Sequence, residues 1–178
     1  MAIATTSFTV LSPAPERVLL TRVRAPRAEG LEGRTVGLLD NNKPGANVIL
    51  QRLADVLCER GAARVESWRK SLPSGPNPYV AVAAREADII ISGVGDCGSC
   101  SSWSLRDAFE VELLGRPTVT LVSEPFEQLV HLEASSLGLP DLSIFTVPHP
   151  MATLSEDELH AIADRLADVV NEALVTAA

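Results

Sequence analysis

From Gly33 onward, short apolar segments alternate with segments of helical periodicity, and this alternation constrains the fold more than any other feature of the chain. Five segments have the length and residue types of β-strands: Thr35–Leu39, Ala63–Ser67, Asp88–Ser92, Pro117–Val122 and Ser143–Val147. Strands separated by helices are typical of βαβ units, which build parallel sheets with helices on both faces. We therefore predict an α/β fold for residues 34–178, a single domain with an open parallel sheet of four to five strands.

The helical segments fall between and after these strands. They are predicted over Ala46–Arg60, Asn77–Ala87, Ser101–Leu114 and Phe126–Leu137, and a last helix follows Ser155. The last helix has the clearest start, because Ser155 and Glu158 have the spacing of a capping box, in which each side chain bonds the other residue's backbone N–H.

Composition excludes several classes of protein. The 178 residues suggest one domain, and 46% apolar against 4% aromatic residues predicts an aliphatic core. The net charge of −8 argues against nucleic acid or an anionic membrane as a partner. We find neither a run of about 18 apolar residues nor the pattern of a secretory signal. Three cysteines, an odd number, argue against a disulfide framework. We therefore expect a cytoplasmic protein.

Residues 1–33 differ in character from the rest. They contain three prolines and two β-prone stretches, Thr6–Leu11 and Val18–Val23, which together predict an extended arm or a loose hairpin. Five arginines fall within residues 17–34, and we interpret them as a solvated surface because no aromatic residues lie among them. Such an arm could contact a second copy of the chain or a different partner protein.

The sequence Cys97-Gly98-Ser99-Cys100 is the strongest candidate for chemistry. Two cysteines at this spacing can form a disulfide, share a metal ion, or act as nucleophile and resolving thiol. The pair precedes a predicted helix, whose first N–H groups stabilise a thiolate. Asp96 could accept a proton, cap the turn, or raise the pKa of the neighbouring thiol. The alternative is structural, with two small buried residues in a tight turn.

Other polar residues are expected near this pair because ligands bind beyond the carboxyl ends of parallel strands. The segments after the first, third, fourth and fifth strands should share that edge. His149 lies there between two prolines and is a candidate for proton transfer, although a structural turn is equally open. The candidates for substrate binding are Asp40, Asn41, Asn42, Lys43, Ser99, Ser101 and Glu124. For Asn42 and Lys43, a plain turn role is the alternative.

No cofactor is expected from the sequence. The run Gly93-Val94-Gly95-Asp96 does not have the dinucleotide-binding fingerprint. If a metal ion binds, Cys97, Cys100 and His149 are the candidate ligands, but the chain has no second close Cys/His pair of the kind found in structural zinc sites. The remaining thiol, Cys58, lies within a predicted helix and is interpreted as a core residue.

Several motifs in order resemble the UGSC family, proteins named for a selenocysteine-Gly-Ser-Cys motif. They are Leu38–Pro44, Gly93–Cys100, Asp107 with Glu112, Gly115–Thr118 and Val147–Pro150. The resemblance implies that Cys97 occupies the selenocysteine position, where the family would carry a redox-active nucleophile, and Cys100 that of its partner. A weaker likeness to the selenoprotein subunits of glycine and proline reductases implies a reactive chalcogen after a strand of an Asp/Glu racemase-like α/β domain. The predicted sheet is accordingly flavodoxin-like or half of a racemase-like one.

Three functions remain open at this point. The first is a thiol redox enzyme in which Cys97 attacks a small-molecule electrophile, Cys100 resolves the adduct, and a thioredoxin-type system restores the dithiol. His149 or Asp96 would move the proton, and Lys43 with Asn42 would hold the substrate. The second is a cysteine acid/base or lyase-type enzyme without net redox change. The third is a metal-dithiolate protein or a subunit that depends on a partner.

Overall fold

A five-stranded parallel sheet forms the centre of the computed structural model, which describes residues 21–176. The elements are β1 (Ala28–Glu29), β2 (Thr35–Asp40), α1 (Ala46–Glu59), β3 (Arg64–Arg69), α2 (Val80–Glu86), β4 (Ile89–Gly95), α3 (Gly98–Leu113), β5 (Thr118–Ser123), α4 (Glu127–Ser136), β6 (Ser143–Val147), α5 (Glu156–Leu174) and β7 (Val175–Thr176). Short 3₁₀ turns precede α4 and α5.

The strand order of the sheet is β3-β2-β4-β5-β6, and every pair is parallel. This is the flavodoxin-like order, so the predicted α/β class and parallel sheet are confirmed. The order reverses between β2 and β4, where the chain leaves the two strands in opposite directions. A crevice for ligands opens at such a switch point, beyond the carboxyl ends of the strands.

Helices cover both faces of the sheet with aliphatic side chains. On one face, α1 and α5 pack over β2, β4 and β5 through residues such as Ile49, Leu53 and Val170. On the other face, α2 and α3 cover β2 and β4, and α3 with α4 covers β5. Among the helices of residues 21–176, none combines the length and apolar character needed to cross a membrane.

The start of α5 is the one predicted for it. The Ser155 hydroxyl accepts the Glu158 N–H at 3.4 Å, and the Glu158 carboxylate accepts the Ser155 N–H at 2.8 Å. Both halves of the capping box are therefore present.

Two boundaries differ from the predictions in a way that matters for the thiol pair. Strand β4 continues to Gly95, past the predicted end at Ser92, because the pairing with β5 shifts register and then resumes at Gly95. Helix α3 begins at Gly98 rather than Ser101, because the Cys97 side chain itself caps it. The pair therefore does not precede the helix: Cys97 is its N-cap and Cys100 lies in its first turn.

The described part of the N-terminal segment, residues 21–33, packs against the domain at the edge opposite the thiol pair. Buried Glu112, near the end of α3, accepts the Ala25 N–H at 2.7 Å and the Thr118 N–H at 2.8 Å, and pairs with Arg27. The Arg27 side chain is 13% exposed, so the solvated interpretation does not hold for this arginine. Thr6–Leu11 and residues 18–20 of the second β-prone stretch lie outside the described residues.

Candidate functional site

Cys97 lies between β4 and α3, at the switch point of the sheet. Its backbone is extended, and its sulfur accepts the backbone N–H of Cys100 at 3.4 Å. The Ser99 hydroxyl is 3.7 Å from the same sulfur. Because the side chain is half-buried, the sulfur combines contact with solvent with the partial positive charge of a helix start.

The pKa of the Cys97 thiol lies below its usual value, at about 7. Partial burial works to raise this pKa. The Cys100 side chain, the hydrogen bond from the Cys100 N–H, the Ser99 hydroxyl and the Lys43 ammonium together lower it by more. A pKa near 7 makes about half of the thiol a thiolate at neutral pH, and the thiolate is the nucleophile.

Cys100 is the buried member of the pair, with no exposed surface. Its thiol donates to the Cys97 carbonyl at 3.3 Å, and its sulfur accepts the Asp96 N–H at 3.3 Å. Burial and then the neighbouring Cys97 side chain raise the pKa of the Cys100 thiol. The two thiols are therefore unequal, since Cys97 ionises first and Cys100 remains protonated.

The tight packing of the loop depends on Gly95. An ideal Cβ at position 95 would lie 2.5 Å from the Cα of Ser101, far inside contact distance. Ser101 is fully buried, and its hydroxyl has no hydrogen-bond partner among the described residues. Ser101 was predicted to bind substrate, but its side chain is buried beneath the loop and packs against Gly95. A ligand at the surface cannot reach it.

Asp96 holds His149 beside the thiol loop. The His149 Nδ1 atom is 2.8 Å from one Asp96 carboxylate oxygen and 3.2 Å from the Ser123 hydroxyl. The other Asp96 oxygen accepts the Met151 N–H at 3.3 Å. The Phe126 ring packs edge-on against the imidazole, at 5.7 Å between centroids. Since Asp96 also bonds Cys100 through its backbone, one residue connects the thiols to the imidazole.

The three residues that follow Leu39 shape the loop after β2. Asp40 is buried, pairs with Arg69 at 2.6 Å and accepts the Asn42 N–H at 2.7 Å. Asn41, also buried, donates to the Val94 carbonyl at 2.6 Å. Asn42 adopts a left-handed backbone, with φ of 63°, which Asn tolerates better than most residues. Asp40 and Asn41 are thus occupied by protein contacts.

The predicted binding residues that the structure leaves accessible are Asn42, Lys43, Ser99 and Glu124. Lys43 is half-buried and interacts with both sulfurs. Desolvation works to lower its pKa, but attraction to Cys100 and Cys97 outweighs it, so that the pKa of Lys43 is raised. Ser99 is exposed beside Cys97, and Glu124 is exposed in the turn after β5.

The structure adds residues that sequence reasoning missed. Ser123 contacts His149 and was not assigned a role. Lys70, directly after β3, is buried with Asp107 of α3, their charged atoms 3.8 Å apart. The rule that ligand sites gather beyond strand ends also applies to the segment after β3, and it could have found Lys70. Within residues 21–176, no three His, Cys, Asp or Glu side chains converge as a metal-binding group.

Comparison with known proteins gives one family. A sequence model of the UGSC family matches residues 9–176, which is nearly the whole chain and includes every site residue described above. No curated protein matches the chain.

Among solved structures, the chain is similar to the flavodoxin-like domain of a Synechococcus protein. The two share 14% sequence identity, with a TM-score of 0.40, and the match covers 78% of this chain and 98% of the other.

Proposed function

The chain belongs to the UGSC family, and we propose that it is a thiol-dependent redox enzyme that acts on a small-molecule electrophile. The observation that carries the proposal is the inequality of the two thiols. Cys97 is accessible with a pKa of about 7, while Cys100 is buried one helical turn away with a raised pKa. An accessible nucleophile backed by a buried thiol is the arrangement that CxxC redox chemistry needs.

In the first step, the Cys97 thiolate attacks an electrophile R–X. A bond forms between the Cys97 sulfur and R, and X leaves with the electron pair of the R–X bond. The leaving group takes a proton, and the His149 imidazole, oriented by Asp96, is the group proposed to supply it. Lys43 would attract an anionic substrate group or stabilise the charge on X.

In the second step, Cys100 loses its proton and attacks the Cys97 sulfur. The Cys97–Cys100 disulfide forms, and R leaves with an electron pair and takes a proton. In sum, R–X and two thiols give R–H, X–H and a disulfide, so that the substrate gains two electrons. A thioredoxin-type dithiol is the proposed reductant that restores the enzyme. Such a cycle fits a reducing compartment, which is why we propose a cytoplasmic location.

A chromogenic aromatic disulfide tests this function without knowledge of the natural substrate. In a Cys58→Ser background, the dithiol protein should release about two equivalents of aromatic thiolate. Cys100→Ser should release about one equivalent and retain the other aryl group as a mixed disulfide on Cys97. Cys97→Ser should react slowly. Equal reactivity of the two single variants, with no trapped adduct, would show that the proposed division of roles is wrong.

The Asp96–His149 pair favours a second candidate, a cysteine enzyme without net redox change. An imidazole oriented by the carboxylate of the residue that precedes the nucleophilic cysteine also suits covalent acid/base catalysis. The two candidates differ in their need for a reductant. Turnover that continues without any reductant, and that survives Cys100→Ser, would support the non-redox enzyme over the redox one.

A further inference from the structure

A buried ion pair joins the residue after β3 to α3, the helix that carries the thiols. The Lys70 ammonium is 3.8 Å from an Asp107 carboxylate oxygen, and both side chains are at most 4% exposed. Lys70 also donates to the Gly75 carbonyl at 2.7 Å, and Asp107 accepts the Asn77 N–H at 2.9 Å. The redox mechanism proposed above uses neither residue.

The ion pair lies on the face of α3 that carries Cys100. Cys100 and Asp107 are seven residues apart in α3, so they lie on the same face of the helix, two turns from one another. Both are buried against the sheet. Lys70 follows β3 at the carboxyl edge of the sheet, where α3 begins, and attraction to Asp107 and to Cys100 favours its charged form. The groups that act on Cys97 are instead Cys100, Ser99 and Lys43, and neither member of the ion pair is among them.

We propose that Lys70, held in place by Asp107, is a positioning residue that stabilises the thiolate of Cys100 and so controls the resolving step. This inference rests on the proposed redox function. In that step the Cys100 sulfur must carry negative charge, either when it attacks Cys97 or when it leaves during re-reduction by a dithiol. A cation in a water-poor interior lowers the free energy of that charge more than one at the surface.

The electrostatics of the site support this role. Burial lowers the pKa of Lys70, and attraction to Asp107 and then Cys100 counteracts it. Because interaction between two charges is reciprocal, a Cys100 thiolate that favours the Lys70 ammonium is favoured by it in turn.

Burial also raises the pKa of Asp107 to about 6, so that its carboxylate is mostly ionised at neutral pH and retains Lys70 as a cation. The other ionisable groups around this cluster are Cys97, Lys43, Asp96 with His149, and Glu110.

The test is a titration of the Cys100 thiolate by its ultraviolet absorbance, in a Cys58→Ser/Cys97→Ser background that leaves Cys100 as the sole thiol. We expect Lys70→Met to raise the midpoint of the Cys100 titration by roughly one pH unit. Below the midpoint, that shift is about a tenfold loss of thiolate. In protein with all three thiols, the alkylation midpoint of Cys97 should stay unchanged in Lys70→Met. Lys43→Met is the comparison, because Lys43 interacts with both sulfurs and its loss should move both midpoints.

Lys70→Met leaves a buried carboxylate unpaired and could prevent folding. The double variant Lys70→Met/Asp107→Asn removes both charges and keeps an acceptor for the Asn77 N–H. It should show an upward shift that is smaller, because the repulsion from the Asp107 carboxylate is lost as well. An unchanged Cys100 midpoint in the folded double variant would overturn the proposal, as would an equal shift at Cys97. The titration does not depend on turnover, so its result is separate from the disulfide-release test of the redox function.

Discussion

The Cys97 sulfur accepts the backbone N–H of Cys100 at 3.4 Å, and the Cys100 thiol donates back to the Cys97 carbonyl at 3.3 Å. The atom that caps α3 is therefore the proposed nucleophile, and the residue that supplies the capped N–H is the proposed resolving thiol. The same contact caps the helix and stabilises the thiolate. The Cys97 sulfur satisfies the Cys100 N–H, and that N–H in turn favours negative charge on the sulfur.

The ionisation of Cys97 predicts a specific pH profile of alkylation. Thiolate increases with pH, so the rate at Cys97 should be half-maximal near pH 7 and fall to about a tenth of its plateau one unit lower. Cys58 is an internal control, because burial raises the pKa of its thiol above the usual value. Mass-spectrometric mapping of iodoacetamide labelling measures both. Equal midpoints for the two thiols would contradict the prediction.

Lys43→Met should raise the alkylation midpoint of Cys97, because the ammonium is one of the groups that favour its thiolate. The same labelling assay measures the shift, which should shrink as salt screens the native interaction. Arg85→Met, on α2 and away from the thiols, serves as the control for loss of a positive charge. A midpoint that is the same in Lys43→Met and the native protein would remove Lys43 from the site.

Asp96→Asn should slow the chemical step by roughly 100-fold, the usual scale of a lost acid or base. The amide cannot accept from both His149 and Met151 as a charged carboxylate does, so the imidazole loses its orientation. His160→Gln is the matched control, since His160 lies near Glu156 on the surface of α5. Rates of thiol release from an aliphatic disulfide, whose basic thiolate needs a proton to leave, report the effect. A rate unchanged in Asp96→Asn would show that the pair is only structural.

Two glycines of the loop should respond differently to alanine. Gly95→Ala forces a Cβ against the Ser101 Cα and should destabilise the fold by about 1–3 kcal/mol or more, the range of overpacked sites. An added Cβ at Gly98 meets no heavy atom within 4 Å among the described residues, so Gly98→Ala should be tolerated. Urea unfolding of the two variants measures the difference. Equal loss in both would mean that close packing at Gly95 is not the constraint.

Glu112→Gln should lower the free energy of unfolding by about 3 kcal/mol, because it leaves Arg27 beside a neutral group in a mostly buried pair. It also weakens the bonds from Ala25 and Thr118 that fix residues 21–33 to the domain. Asp164→Asn breaks an exposed pair with Arg52 and should leave the unfolding midpoint nearly unchanged. If the two variants unfold alike, the Glu112 contacts contribute little to stability.

Periodicity was sufficient to predict the sheet. All five strands of the sheet lie where apolar runs predict them, and β6 matches at both ends. Local patterns predict the apolar face of each helix and strand well, because each element buries apolar residues that recur at its own period. Strand order depends on which faces meet across the molecule, so the switch point between β2 and β4 became evident only in the structure.

The part of the site that depends on neighbouring residues in the sequence was predictable. Cys97 and Cys100 stand out by spacing, and Asp96 and His149 by position after strands. The predicted start of α3 at Ser101 is three residues late, because cysteine is a rare N-cap and no local pattern marks Cys97 as one. The burial of Ser101 and the pairing of Lys70 with Asp107 arise from contacts between distant segments, which no local pattern records.

The central claim is that Cys97 and Cys100 form a working dithiol couple. Its most direct test starts from anaerobically purified protein that has been oxidised with an aromatic disulfide. The intact mass is measured before and after a reductant, with alkylation mapped to each of the three cysteines. The account predicts a gain of the mass of two hydrogen atoms on reduction, with reductant-dependent labelling confined to Cys97 and Cys100. Two free thiols that never oxidise, even with excess aromatic disulfide, would contradict it.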